Sequence, residues 1–122
     1  MSVNRVTLVG YVGAEPVVRW LDNGMCVASV SLGTKEKGYS LPNGTQVPDR
    51  TEWHSVIFWG KQAELVESYV HKGDKLFAEG KLQTRTFDDK NGMRRQVAEV
   101  MAHSLELLSG RGQNVEPVGP EN

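Results

Sequence analysis

Hydrophobic and polar positions alternate with a period of two along most of this chain, and that period predicts strands in nearly every segment. Between Val3 and Val12, Val6, Leu8 and Val12 fall on one side and Arg5, Thr7, Val9 and Tyr11 on the other. The second side is itself apolar enough to meet a partner. Gly13-Ala14-Glu15-Pro16 breaks the pattern, as glycine and proline do. A second strand begins at Val17 and resumes after Asp22-Asn23-Gly24, a signal for a tight reversal or a bulge. From Cys26 to Leu32, the set Cys26, Ala28, Val30 and Leu32 alternates with Val27, Ser29 and Ser31, which predicts a half-buried strand. Lys35 to Arg50, KEKGYSLPNGTQVPDR, has no sustained period and reads as a long excursion, a mobile hairpin. Its Lys35, Lys37, Tyr39 and Arg50 suit either a wrap around a polyanion or a solvated, flexible loop.

The stretch Thr51 to Lys61, TEWHSVIFWGK, is aromatic and β-branched and predicts a central strand. Trp53, Ser55, Ile57 and Trp59 share one face, and His54, Val56 and Phe58 the other. Six residues at roughly 3.3 Å each put the two indoles about 20 Å apart, with Lys61 just beyond the second. If that face is open, it offers flat platforms beside a cation, the chemistry that stacks bases and holds phosphates. If both faces are buried, the tryptophans are ordinary core.

After this strand the period changes. Ala63, Val66, Tyr69 and Val70 recur at helical spacing, and Lys72-Gly73 supplies a stop. One short amphipathic helix is predicted, placed to plug an end of a barrel. Alternation returns from Lys75 to Phe87, with Leu76, Ala78, Gly80, Leu82 and Thr84 on a small, apolar face. Lys75, Phe77, Glu79, Lys81, Gln83, Arg85 and Phe87 lie opposite; Lys81, Arg85 and Phe87 repeat the mixture of cations and an aromatic. Asp88-Asp89-Lys90-Asn91-Gly92 predicts a hairpin tip, Arg94 to Leu108 the last strand, and residues 109–122 a disordered tail. The order is five strands with one short α-helix between strands 3 and 4. That order is the signature of an all-β, five-stranded Greek-key barrel, the OB-fold, spanning residues 1–108.

Composition narrows the function classes. A chain of 122 residues suits one domain. No apolar run is long enough to span a bilayer and no leader pattern opens the chain, so no membrane association is expected. The single cysteine, Cys26, cannot form an internal disulfide, in keeping with a reducing, cytoplasmic setting. A net charge of -1 weighs against nucleic-acid binding when charge is read globally. Binding depends on local charge, however, and Asp88, Asp89, Glu116 and Glu121 fall in loops and tail. Catalytic chemistry is missing: His54, His71 and His103 are scattered, Cys26 has no evident base, and no nucleophile elbow or phosphate-binding loop occurs. No enzyme activity, cofactor or metal site is expected, and Asp88 and Asp89 read as solvated carboxylates.

Several segments together resemble the bacterial single-stranded DNA-binding protein family. They are Val3-Asn4-Arg5-Val6, Leu8-Val9-Gly10, Glu15-Pro16-Val17-Val18-Arg19, Thr51-Glu52-Trp53-His54, Phe58-Trp59-Gly60-Lys61-Gln62-Ala63, Lys72-Gly73, Glu79-Gly80-Lys81-Leu82-Gln83-Thr84-Arg85 and Leu107-Leu108. The resemblance covers roughly residues 1 to 110, in order and with family-like spacing. It implies a homotetramer of OB-folds that coats single-stranded DNA in replication, recombination and repair, in the cytoplasm at the nucleoid. Family stacking aromatics correspond to Trp53, Trp59 and Phe87, with Tyr39 in the loop where another lies. Basic family positions map to Arg5, Arg19, Lys61, Lys72 and Arg85; the residue patterns above add Lys35 and Lys81. His54 matches a position associated with subunit contacts, and the family's first strand pairs with its copy, so Val9, Tyr11, His54 and Phe77 are the expected interface residues.

Two departures matter. Ser55 stands where a basic residue is common, and the chain stops at Val118-Gly119-Pro120-Glu121-Asn122 where the family has an acidic tip closing in Pro-Phe that recruits DNA replication and repair proteins. Either the sequence is truncated or partners are recruited differently. Three other readings compete: a dimeric primosome-type relative, an OB module whose aromatic face meets another polypeptide, and a small nuclease.

Overall fold

The computed structural model describes residues 1–109. In chain order it contains β1 (Val6–Val12), β2 (Val17–Trp20), β3 (Cys26–Glu36), β4 (Tyr39–Ser40), β5 (Gln46–Val47), β6 (Arg50–Trp59), α1 (Lys61–Tyr69), β7 (Lys75–Asp88) and β8 (Arg94–Ser109). Five of these strands close a barrel in the order β1-β7-β8-β6-β3, with β3 returning to β1 at Tyr11↔Gly33 and Val12↔Leu32. The one parallel pairing of that barrel is β6 with β8, the long crossover that α1 makes possible. The expected five-strand OB barrel with its single helix is thus present. Closure depends on small residues: a Cβ on Gly10 would collide with the carbonyl oxygen of Gly33 across the β1–β3 seam.

Alternation decides what is inside. Leu8, Val12, Cys26, Ala28, Val30, Leu32, Val56, Phe58, Leu76, Ala78 and Val100 turn inward and form one buried cluster. Ala63 and Val66 of α1 and Val70 just beyond it complete that cluster, so the helix covers one end of the barrel. Cys26 is 1% exposed, and burial, followed by Glu67 and Glu64, pushes its thiol pKa up.

The structure decides one open alternative and corrects three expectations. Asp22-Asn23-Gly24 is a reversal and not a bulge within one strand: β2 and β3 pair antiparallel, with Gly24 at φ 86 and Asn23 Oδ1 accepting the Met25 amide at 3.0 Å. The excursion after Lys35 is shorter than predicted because the β3–β6 ladder persists to Glu36↔Arg50, leaving a small β4–β5 hairpin as its tip. Tyr69, placed by period on the inner helix face, is exposed, because the helix ends there and the next inward position is taken by Val70. Leu82 and Thr84 are exposed although they continue the inward register of Leu76, Ala78 and Gly80. Past Gly80, β7 extends beyond the buried cluster, so Leu82 and Thr84 stay open even though Val100, opposite Leu82 on β8, is still part of that cluster. The tail expected at residues 109–122 lies outside the described residues, apart from Ser109, which ends β8.

Candidate nucleic-acid interface

Strand register assembles the outer face opposite the core in rows. On β6 the face carries Trp53, Ser55, Ile57 and Trp59, and its neighbours follow from the pairing. Trp59 sits across from Val27, which pairs with Arg19 of β2. Ile57 is flanked by Ser29 and Met101, and Met101 by Lys81. Ser55 is flanked by Ser31 and Glu99, and Glu99 by Gln83. A half-open groove of about 720 Å³ runs over these rows, walled by Arg19, Trp59 and Arg85.

The tryptophans of β6 are not core. Trp53 is 58% exposed and Trp59 45%, whereas Val56 and Phe58 between them are 0% exposed. Trp53 rests its six-membered ring on backbone: a Cβ on Gly33 would lie 2.7 Å from its Cζ3, and one on Gly13 would collide with the same atom. Gly33 of β3 and Gly13, just past the end of β1, therefore make the bed in which this indole lies.

Phe87 and Tyr39 are also exposed, on the projecting β7–β8 hairpin and the β4–β5 hairpin respectively. The Asp49 side chain fixes the base of the latter, accepting the Gly38 amide at 2.7 Å and pairing with Lys35 at 3.5 Å. That amide bond first, and Lys35 second, hold the Asp49 carboxyl below its usual pKa.

The expected cations differ in how they are held. Arg19, Lys61, Lys72 and Lys81 form no ion pair among the described residues. Lys35 is paired with Asp49 as above. Arg85 is gripped by Glu99, with Nε donating to Oε1 at 3.2 Å and Nη2 to Oε2 at 3.1 Å. Of the expected cations only Arg19 and Arg85 line the groove; Lys35, Lys61, Lys72 and Lys81 do not, nor does Arg5, whose Nε donates to Glu79 Oε2 at 3.0 Å, where Thr7 Oγ1 also donates at 2.7 Å. Those two bonds, Thr7 first, lower the Glu79 pKa.

Val9, Tyr11 and Phe77 come together on the outer face of β1 and β7, through Val9↔Phe77 and Tyr11↔Lys75, with the Lys75 ammonium 5.9 Å from the Tyr11 ring centroid. Val9 and Tyr11 are about half exposed. His54 is apart from them: partly buried on the inner side of β6, it shares a 2.8 Å hydrogen bond with Thr34 Oγ1.

Two residues of interest were missed. Glu99, 9% exposed, puts a carboxylate in the groove; alternation places it outward, but only the β7–β8 register reveals Arg85 as its partner. Trp20 is a third exposed indole, on the opposite side of β2 from the groove residues Val17 and Arg19. The carboxylates of the hairpin tip are engaged rather than merely solvated: Asp89 accepts the Asn91 and Met93 amides and Arg95 Nε, and Asp88 lies 3.7 Å from Arg94. Among the described residues no cluster of three His, Cys, Asp or Glu is arranged to hold a metal ion, and no helix is long and apolar enough to cross a membrane.

The sequence profile of the Single-strand binding protein family matches residues 3–108. A single-stranded DNA-binding protein of Bacteroides thetaiotaomicron is 46% identical over 121 residues, covering 99% of this chain and 75% of that protein. One from Neisseria meningitidis serogroup A is 37% identical over 114 residues, 93% of this chain and 64% of its own length. Among solved structures, the Plasmodium falciparum SSB in complex with ssDNA superposes with a TM-score of 0.76 at 28% identity, covering 88% of this chain and 94% of that one. The profile match across nearly the whole described barrel, with these relatives, places the chain in the single-strand binding protein family.

Proposed function

We propose that this chain binds and protects single-stranded DNA without regard to sequence, by stacking bases on aromatic side chains while lysines and arginines engage the phosphates. One observation carries the reading: Trp53 and Trp59 stand open on the face opposite the core, where Trp59 and the unpaired Arg19 line a groove. Every base has a π-face, so stacking tolerates any sequence, at about 1–3 kcal/mol per base. Trp53, Trp59, Phe87 and Tyr39 are the stacking residues of this reading. Arg19, Lys61, Lys72 and Lys81 are its phosphate contacts, and the ion pairs that hold Arg5, Lys35 and Arg85 make these three the weakest candidates. Binding by counterion release weakens with salt, and only a single strand exposes its bases for stacking.

In this reading the protein is a binder and not a catalyst. It acts at the nucleoid in the cytoplasm during replication, recombination and repair, alongside other DNA-processing proteins. It assembles as a homotetramer, in which the apolar strip Val9, Tyr11 and Phe77 on β1 and β7 meets its copy. Fluorescence anisotropy with labelled oligothymidylate, a mixed-sequence single strand and the matched duplex tests the reading. Similar affinity for both single strands and far weaker binding of the duplex is expected; equal or preferential duplex binding would overturn it.

A further inference from the structure

Arg85 occupies the groove in an arrangement that differs from that of Arg19, the other cation of its lining. Glu99 holds its guanidinium by two parallel hydrogen bonds, the bidentate geometry that fixes a guanidinium plane. On its own strand the Phe87 ring lies two residues on, with the guanidinium carbon 5.5 Å from the ring centroid, within cation–π range. Glu99 belongs to the row that includes Ser55 and Gln83, so its carboxylate stands in the middle of the face and cancels the arginine's charge locally. Arg85 nevertheless remains 57% exposed in its side chain.

A cation meant to neutralise a phosphate gains nothing from a carboxylate beside it. A flat surface meant to lie against a base gains from being fixed in plane and backed by an aromatic ring, because its orientation is then set before the ligand arrives. We infer that Arg85 serves as a stacking platform for a base rather than as a phosphate contact, with Glu99 as the positioning residue that fixes its plane and Phe87 as the next layer. The groove would then carry a stacking surface beyond its exposed aromatics, and phosphate neutralisation would fall to Arg19, Lys61, Lys72 and Lys81.

This inference rests on the single-strand binding reading, and salt dependence separates the two. Affinity for oligothymidylate is measured across a salt series for the wild type, Arg85→Lys, and the double variant Arg85→Gln/Glu99→Gln, each checked for wild-type circular dichroism. Arg85→Lys keeps the charge and loses the plane, and the double variant removes the pair with no change in net charge. The expected result for both is an affinity about five- to tenfold weaker with the slope of log affinity against log salt unchanged. A slope shallower by about 0.7 in the double variant marks the loss of one phosphate contact on a single strand and would overturn the inference. So would wild-type affinity in Arg85→Lys. A wild type that fails to bind the oligonucleotide at all would instead remove the underlying reading, and the inference with it.

Discussion

Trp53 and Gly33 face each other across the β3–β6 ladder, and the indole occupies the space that a side chain on Gly33 would need. The glycine is a negative imprint of the tryptophan. Gly33→Ala is therefore expected to lift the indole from its bed and weaken oligothymidylate binding by about 1 kcal/mol or more, the low end of the value of one stacked base. Gly33 has no left-handed φ, so the substitution strains no backbone dihedral. Wild-type affinity in this variant would show that the indole's seat has no bearing on binding.

Residues that alternate along β6 should separate stability from binding. Phe58→Ala removes a fully buried ring and is expected to cost about 3–5 kcal/mol in urea denaturation. Trp59→Ala removes an indole that is already 45% exposed; it should leave the urea midpoint nearly in place while reducing single-strand affinity by about 1–3 kcal/mol. A Trp59→Ala protein that is severely destabilised yet binds normally would assign that ring to the core.

The membership of the two faces was legible in the sequence because strand alternation is local, but Trp53 and Trp59 read equally as core until the structure showed their face to be open. What was not legible depends on partners far away in sequence. Leu82 continues the inward register of Leu76 and Ala78, and it is exposed because β7 there extends beyond the buried cluster. The Arg85–Glu99 pair follows from a register set between two strands, and no spacing announces it. Arg5 likewise reads as a free cation until β1 pairs with β7 and brings Glu79 beside it. His54 carries the inward parity of Val56, so its distance from Val9 and Tyr11 follows from barrel closure and not from its motif.

The hairpin tip gives a pH prediction. Arg95 Nε donates to Asp89 Oδ2 at 2.8 Å, and the Met93 and Asn91 amides donate to Oδ1 at 2.9 Å each; together they hold the carboxyl below its ordinary pKa. Unfolding removes these donors and returns the pKa to about 3.9. A depressed folded pKa means that the stabilisation is complete above the unfolded value and is lost as pH falls through the folded one. The gap in urea midpoint between wild type and Asp89→Asn should thus be widest near neutral pH and narrow below about pH 4. A gap that stayed constant into acid would contradict the assignment.

Assembly gives a fourth prediction. A glutamate at Tyr11, whose ring lies about half exposed beside Val9 and Phe77, would place a carboxylate in the proposed contact between copies. Tyr11→Glu is expected to sediment as a smaller species than the wild type while keeping the barrel's circular dichroism. An unchanged mass would place the subunit contact elsewhere.

The central claim is that the indoles of β6 lie under bases. Trp20 is exposed but stands away from the groove, so its emission is best removed by Trp20→Phe, which leaves Trp53 and Trp59 as the remaining reporters among the chain's 3 tryptophans. Their fluorescence is then followed during titration with a long oligothymidylate and with a duplex of the same length, at low and high salt. Strong quenching by the single strand, little by the duplex, and a titration that weakens with salt is the predicted result. Absence of quenching by the single strand at low salt would contradict the account and leave the aromatic face as a surface for another polypeptide.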